Sequence, residues 1–252
     1  MEKKKVTRWQ ASGVHLLISV AIALVFLSLL LLVWFPGPLF EAAGGRDLLL
    51  ILMGVDVVAG PLITLIVFKW DKPSLKFDLA VVGAVQLAAL FYGAHIMFLA
   101  RPAFIAFVKD QFQVAVAVDL DPADMAKAKY LQFKHPPLTG PLLAFAETPA
   151  DVAEQQRLLK EAISGKDLEY FPQHFVPYQQ RAQEVLAKSW TIARMRAQEP
   201  QAAKVVDEYL ARSGTKEADV RYLRLRAPRA WLAVLIDAKT GEPVKMLIYE
   251  KI

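Results

Sequence analysis

The four histidines of the chain, His15, His95, His135 and His174, are the first candidates for chemistry, because imidazole works as a general base and a metal ligand near neutral pH. None stands at metal-ligand spacing from another, and no H-E-x-x-H, P-loop, G-x-S-x-G or dinucleotide fingerprint occurs. Cysteine is absent, which excludes thiol catalysis, disulfides and thiolate metal sites. Carboxylate pairs such as Asp119/Asp121 and Asp207-Glu208 read as cap and helix-surface residues. The expectation is therefore a protein with no catalytic constellation, no metal site and no cofactor. An enzyme would require His135 and His174 to meet carboxylates in one cleft.

The most informative polar residues stand in apolar surroundings. Asp56 interrupts the run Leu48 to Phe68, 8 residues from one end, or about 12 Å deep at the helical rise. An ionisable side chain at that depth is a functional-site hypothesis by default. Gly60-Pro61 follows it and removes a backbone donor in mid-span, which implies a kink or a binding notch. The next apolar run carries Gln86, Tyr92, Gly93 and His95 and ends at Arg101. Tyr92 lies close to the level of Asp56, so an Asp56–Tyr92 or Asp56–His95 contact is geometrically open. Two readings follow: these groups are interhelical glue, or they recognise a polar group on another transmembrane helix.

The elements that carry these residues are apolar spans. Of the 30 Lys/Arg and 25 Asp/Glu, only 8 and 6 fall within residues 1–100, and the remainder have the density of an ordinary globular domain. The runs 14–35, 48–68 and 79–100 each match the ~20 residues needed to cross a bilayer core. The 14 Leu, Ile, Val and Phe of the second outweigh the cost of its Asp, so it inserts. The first run is too long for the core of a signal peptide and reads as an uncleaved anchor. Lys3, Lys4, Lys5 and Arg8 precede it, the first loop holds only Arg46, and the second loop holds Lys69, Lys72 and Lys76. Positive flanks mark the cytoplasmic side. The prediction is a cytoplasmic basic tail (1–13), a membrane domain (14–100) and a domain outside the cytoplasm (101–252). Membrane lipids are partners by this reading. Nucleic acid is not, despite an isoelectric point near 9.3.

Residues 101–252 suffice for one domain with its own core. Ala103 to Val108 and Phe112 to Val118 read as strands joined at Lys109-Asp110-Gln111. Helices are predicted near 121–133, 148–164, 177–198 and 201–212, with Gly165 and Gly214 as stops, and Leu142 to Ala146 as a strand between the first two. Val220 to Arg226, Trp231 to Ile236 and Val244 to Tyr249 close the chain as strands, with Gly241 suited to a positive φ in the last connection. The fold class is a three-helix transmembrane region plus an α+β extracytoplasmic domain with an antiparallel sheet and packed helices. Arg221, Arg224, Arg226 and Arg229 read as a solvated strand edge, or as a surface for an acidic partner or lipid head groups. The segment Tyr170 to Tyr178 reads as aromatic loop packing, or, if exposed, as a partner groove.

The patterns Asp56-x-x-x-Gly60-Pro61, Gln86-x-x-Ala89-Leu90-x-Tyr92-Gly93 and Arg101-Pro102, with the closing Asp237 to Glu242 hairpin, carry a resemblance. The chain resembles the TfpX/TfpZ family of type IV pilin accessory proteins across its whole plan, and departs from it at Gln111, where that family often has Arg. The resemblance implies a non-enzymatic protein of the bacterial inner membrane, with its amino terminus cytoplasmic and its last domain periplasmic. Type IV pilin is its implied partner. The residues that would meet the pilin are Asp56, Gly60, Pro61, Gln86, Tyr92, Gly93, His95 and Arg101. Two other classes compete: a membrane-anchored sensor of a periplasmic ligand, and a periplasmic enzyme acting on lipid, glycan or protein. The sensor lacks a cytoplasmic output module, since the tail and inner loop are short.

Overall fold

The structure, a computed structural model, describes residues 6–252; Lys3, Lys4 and Lys5, which enter the orientation argument, lie outside the described residues. The chain divides into two compact units, one of residues 1–33 and 45–99 and the other of residues 34–44 and 100–252.

The first unit holds three helices long and apolar enough to cross a membrane: α1 (Arg8–Trp34), α3 (Gly45–Val67) and α4 (Leu75–Leu99). Each begins among polar residues ahead of the apolar run. Thr7 caps α1 by accepting from the Gln10 amide at 3.2 Å, while the Gln10 side chain accepts from the Thr7 amide at 3.0 Å, so two otherwise orphaned donors are satisfied reciprocally. Within α3, residues Gly54–Ala59 adopt π-helical hydrogen bonding just ahead of Pro61.

The second unit is an α+β domain on one seven-stranded sheet in the order β4-β3-β1-β2-β5-β6-β7. The strands are β1 (Pro102–Val108), β2 (Gln111–Val116), β3 (Leu142–Ala146), β4 (Phe175–Pro177), β5 (Val220–Ala227), β6 (Ala230–Asp237) and β7 (Pro243–Lys251). The sheet is mixed, which corrects the antiparallel expectation: β1 pairs in parallel with β3, and β2 in parallel with β5. Parallel neighbours need long crossovers. The β1–β2 hairpin sits mid-sheet, and each of its outer edges receives a strand that arrives after a long connection. β1 is accordingly buried on both faces. Phe104 meets Phe133 and Phe175 edge-on at 5.7 and 5.5 Å, while Phe107 packs with Phe112 and Phe145 in a separate core. β5 lies inside the sheet, so Arg221, Arg224 and Arg226 are not on a sheet edge: Arg224 pairs with Glu199 and covers the Trp190 ring, and Arg226 lies 6.0 Å from the Trp231 ring centroid.

Helices α5 (Pro122–Ala126), α6 (Val152–Ile163), α7 (Ala182–Lys188), α8 (Ile192–Gln198) and α9 (Pro200–Ser213) surround the sheet. The single helix predicted over 177–198 is divided. Trp190 exchanges backbone hydrogen bonds with Tyr222 of β5 at 2.9 and 2.8 Å, and Thr191 then caps α8. The segment Tyr170 to Tyr178 packs inward: Phe171, Phe175 and Tyr178 are buried, and the Tyr178 hydroxyl donates to Gly241 O at 2.5 Å. Gly241 has φ +76°, and a Cβ there would lie 2.5 Å from Ala182 O, so the turn needs glycine on both counts.

Residues 34–44 belong to this second unit rather than to the helices that flank them. Leu39 and Ala42 of the short helix α2 (Leu39–Ala42) join the core with Leu232 and Val234. The Arg229 amide donates to Ala42 O at 2.8 Å, and Lys251 pairs with Glu41 at 2.5 Å.

Candidate functional site

The polar groups of the three long helices form one seam. Gly60 N–H reaches back five residues to Val55 O instead of four. In that register the donor at position 61 would serve Asp56 O, and proline has none. Gln86 of α4 supplies the missing bond, donating from Nε2 to Asp56 O at 3.0 Å. The approach is possible because position 60 is glycine: a Cβ there would lie 2.5 Å from Gln86 Cδ. Pro61 O accepts from Ser12 Oγ of α1 at 2.9 Å, and His15 Nδ1 lies 2.6 Å from Thr64 Oγ1. Such bonds are the adhesive between helices where lipid offers no hydrophobic drive.

Next to this seam lies a cavity of about 210 Å³ bounded by α1, α3 and α4. Its polar lining is His15, Ser19, Asp56 and Gln86, and its walls include Ile18, Phe26, Leu52 and Leu90. Both Asp56 carboxyl oxygens are buried, and neither has a hydrogen-bond partner among the described residues. An unmade bond at a buried acceptor costs about 1–3 kcal/mol. The arrangement can accept a hydrogen bond from a donor entering between the helices.

Asp56, Gly60, Pro61 and Gln86 thus come together. Tyr92 is 70% exposed and His95 is also on the outside of α4, so neither reaches the Asp56 carboxyl. Gly93 serves packing: a Cβ there would lie 2.7 Å from Leu52 Cδ1. Arg101 is buried in the α+β unit, where its Nε and Nη2 donate to Pro137 O at 3.0 and 2.9 Å and tie the start of β1 to the proline loop. Sequence reasoning counted His15 among the histidines but did not join Ser12, His15 and Ser19 to the Asp56 seam. Their spacing of three and four residues, which sets them on one stripe of α1, was the available signal.

In the α+β unit His174 Nε2 lies 2.9 Å from Glu154 Oε1, and the same carboxylate takes two bonds from Arg157 at 2.8 and 2.7 Å. Arg157 first, then His174, holds Glu154 down to about 2. His135 is exposed. Among the described residues no group of three or more His, Asp or Glu is arranged to hold a metal.

The sequence pattern of the family described as fimbrial assembly protein FimB matches residues 3–44. The chain is similar to three proteins of Dichelobacter nodosus. It is 27% identical over 234 residues to the fimbrial assembly protein of serogroup E1, covering 89% of each chain. It is 29% identical over 178 residues to that of serogroup I, covering 69% of this chain and 68% of the relative. It is 32% identical over 111 residues to that of serogroups C1 and C2, covering 43% of this chain and 85% of the relative. No solved structure matches the chain.

Proposed function

The chain belongs to the fimbrial assembly protein family, and on that premise we propose that it assists the assembly of type IV fimbriae as a non-enzymatic protein of the bacterial inner membrane. In this reading it binds a pilin subunit while the apolar helix of that subunit is still in the bilayer. The observation that carries it is the Asp56 carboxyl, buried without a partner beside a cavity between three apolar helices. A polar group on a neighbouring transmembrane helix gains most from such an acceptor, because lipid offers it no alternative. Gln86 and Gly60 keep the acceptor in place.

Charge supports an orientation with the amino terminus and the second loop in the cytoplasm: Lys69, Lys72 and Lys76 flank that loop, against Arg46 alone in the first. The α+β domain is then periplasmic and meets the globular head of the pilin. The test is co-purification of cross-linked pilin with tagged chain. Asp56→Leu removes the acceptor and leaves the span more apolar, so insertion is preserved. Loss of most pilin recovery from normally inserted protein is the expected result; unchanged recovery sinks the reading.

A further inference from the structure

The α+β unit contains a larger cavity that the membrane-helix reading does not use. It measures about 530 Å³, within the range of small-ligand sites. Gln113 of β2 and Glu169 line it, and both are more than nine-tenths buried. The Gln113 amide, oriented to satisfy both groups, donates to the Glu169 carboxylate at 2.9 Å. Asp119, Asp167 and Tyr170 complete one side, and Arg226 is the one cation among the lining residues. Asp167 also has Lys109 at 3.7 Å. Burial away from water raises Glu169 to about 7, against the opposing pulls of Arg226 and Lys109.

The position of the cavity is informative. Ala43 and Ala100 also line it, and these residues stand next to the segments from which α3 and α4 continue. Part of its lining is therefore adjacent in sequence to the start of α3 and to the end of α4. Val118 and Ile252 line the same cavity, 57% and 65% exposed.

We propose that this cavity binds the zwitterionic headgroup of a phospholipid bearing a primary ammonium beside its phosphate, that is, a phosphoethanolamine group. The ammonium points inward to Glu169 and Asp167, the phosphate meets Arg226, and the acyl chains leave past Val118 and Ile252. Asp119, Asp167 and Glu169, set against Arg226 and the nearby Lys109, favour a ligand that carries a cation over a purely anionic one. A primary ammonium carries N–H donors that the carboxylate accepts. A quaternary ammonium has none and is held instead by aromatic cages, for which Tyr170 alone is insufficient.

The test is native mass spectrometry of the full chain released from detergent with phosphatidylethanolamine or phosphatidylcholine of identical acyl chains. The expected result is a preference of about tenfold for the ethanolamine lipid, the gain of one charge-assisted contact, lost in Glu169→Gln, whereas Arg226→Gln weakens retention of both lipids alike. Arg226 is exposed, so its variant tests the site even where Glu169→Gln perturbs folding. Water-soluble glycerophosphoethanolamine separates the sources: displacement of the lipid means that the headgroup alone suffices, and failure to displace assigns the site to the lipid. Equal retention of both lipids by the native chain, an unchanged preference in folded Glu169→Gln, or unchanged retention of both lipids in Arg226→Gln overturns the proposal.

Discussion

Replacing Glu169 by Gln removes a titration from the interior of the α+β domain. The carboxyl is 7% exposed, so solvent screens it little. Burial first, then the nearby Asp167, raises it from an ordinary 4.5 to about 7, against the pull of its own backbone amide, Arg226 and Lys109. That difference is about 2.5 pH units, which at ~1.36 kcal/mol per unit is about 3 kcal/mol. The folded state holds the proton more tightly than the unfolded chain. The contribution is therefore complete below pH ~4.5, falls as pH rises, and is lost above pH ~7. Glutamine keeps the size and hydrogen bonds of the neutral acid and cannot ionise. The urea midpoint of the domain, read by pulse proteolysis of full-length protein in detergent between pH 4.5 and 7.5, measures the effect. The difference between native and variant stability should change by about 3 kcal/mol across that interval, in favour of the variant at the alkaline end. A difference that stays flat means the carboxyl titrates as if in water, and refutes the reasoning.

Two further outcomes follow from the geometry. Gly60→Ala drives a methyl into the Gln86 amide and breaks its bond to Asp56 O, with a loss of about 1–3 kcal/mol; Gln86→Ala in that background restores part of it, because the obstacle is gone, and a double-mutant cycle on unfolding in detergent reads the coupling. Glu154 is held near 2 by Arg157 and then His174, so its contribution is present above pH ~4.5 and lost as pH falls toward 2; Glu154→Gln should abolish that acid-sensitive step, worth about 1 kcal/mol after solvent screening, as followed by amide exchange in α6.

Local pattern carried the three apolar helices, the β1–β2 hairpin and the closing strands, because each depends on residues near in sequence. Asp56, Gly60 and Pro61 were legible for the same reason: a carboxylate and a helix breaker in an apolar run are conspicuous wherever the partners lie. Strand adjacency is not local. Nothing in Phe112 or Leu225 announces that they face one another in parallel. The break at Trp190 likewise depends on Tyr222, far along the chain, which offers a backbone partner that competes with the helix. Depth placed Tyr92 beside Asp56, but rotation about the helix axis decides which neighbour a side chain meets, and on α4 that rotation turns Tyr92 outward.

The loop of residues 34–44 has a consequence for how the protein is made. Its Leu39 and Ala42 are synthesised well before β6, which forms the surface that receives them, and the Lys251 that clasps Glu41 lies 210 residues further along the chain. Both segments must reach the same compartment before the domain can close, so α3 and α4, which lie between them, have to carry the chain out and back. A cut at residue 101 would leave the domain without part of its interior, with the Arg229 amide deprived of Ala42 O. Completion of the fold thus depends on how α3 and α4 thread the chain, and a chain threaded otherwise keeps its core open.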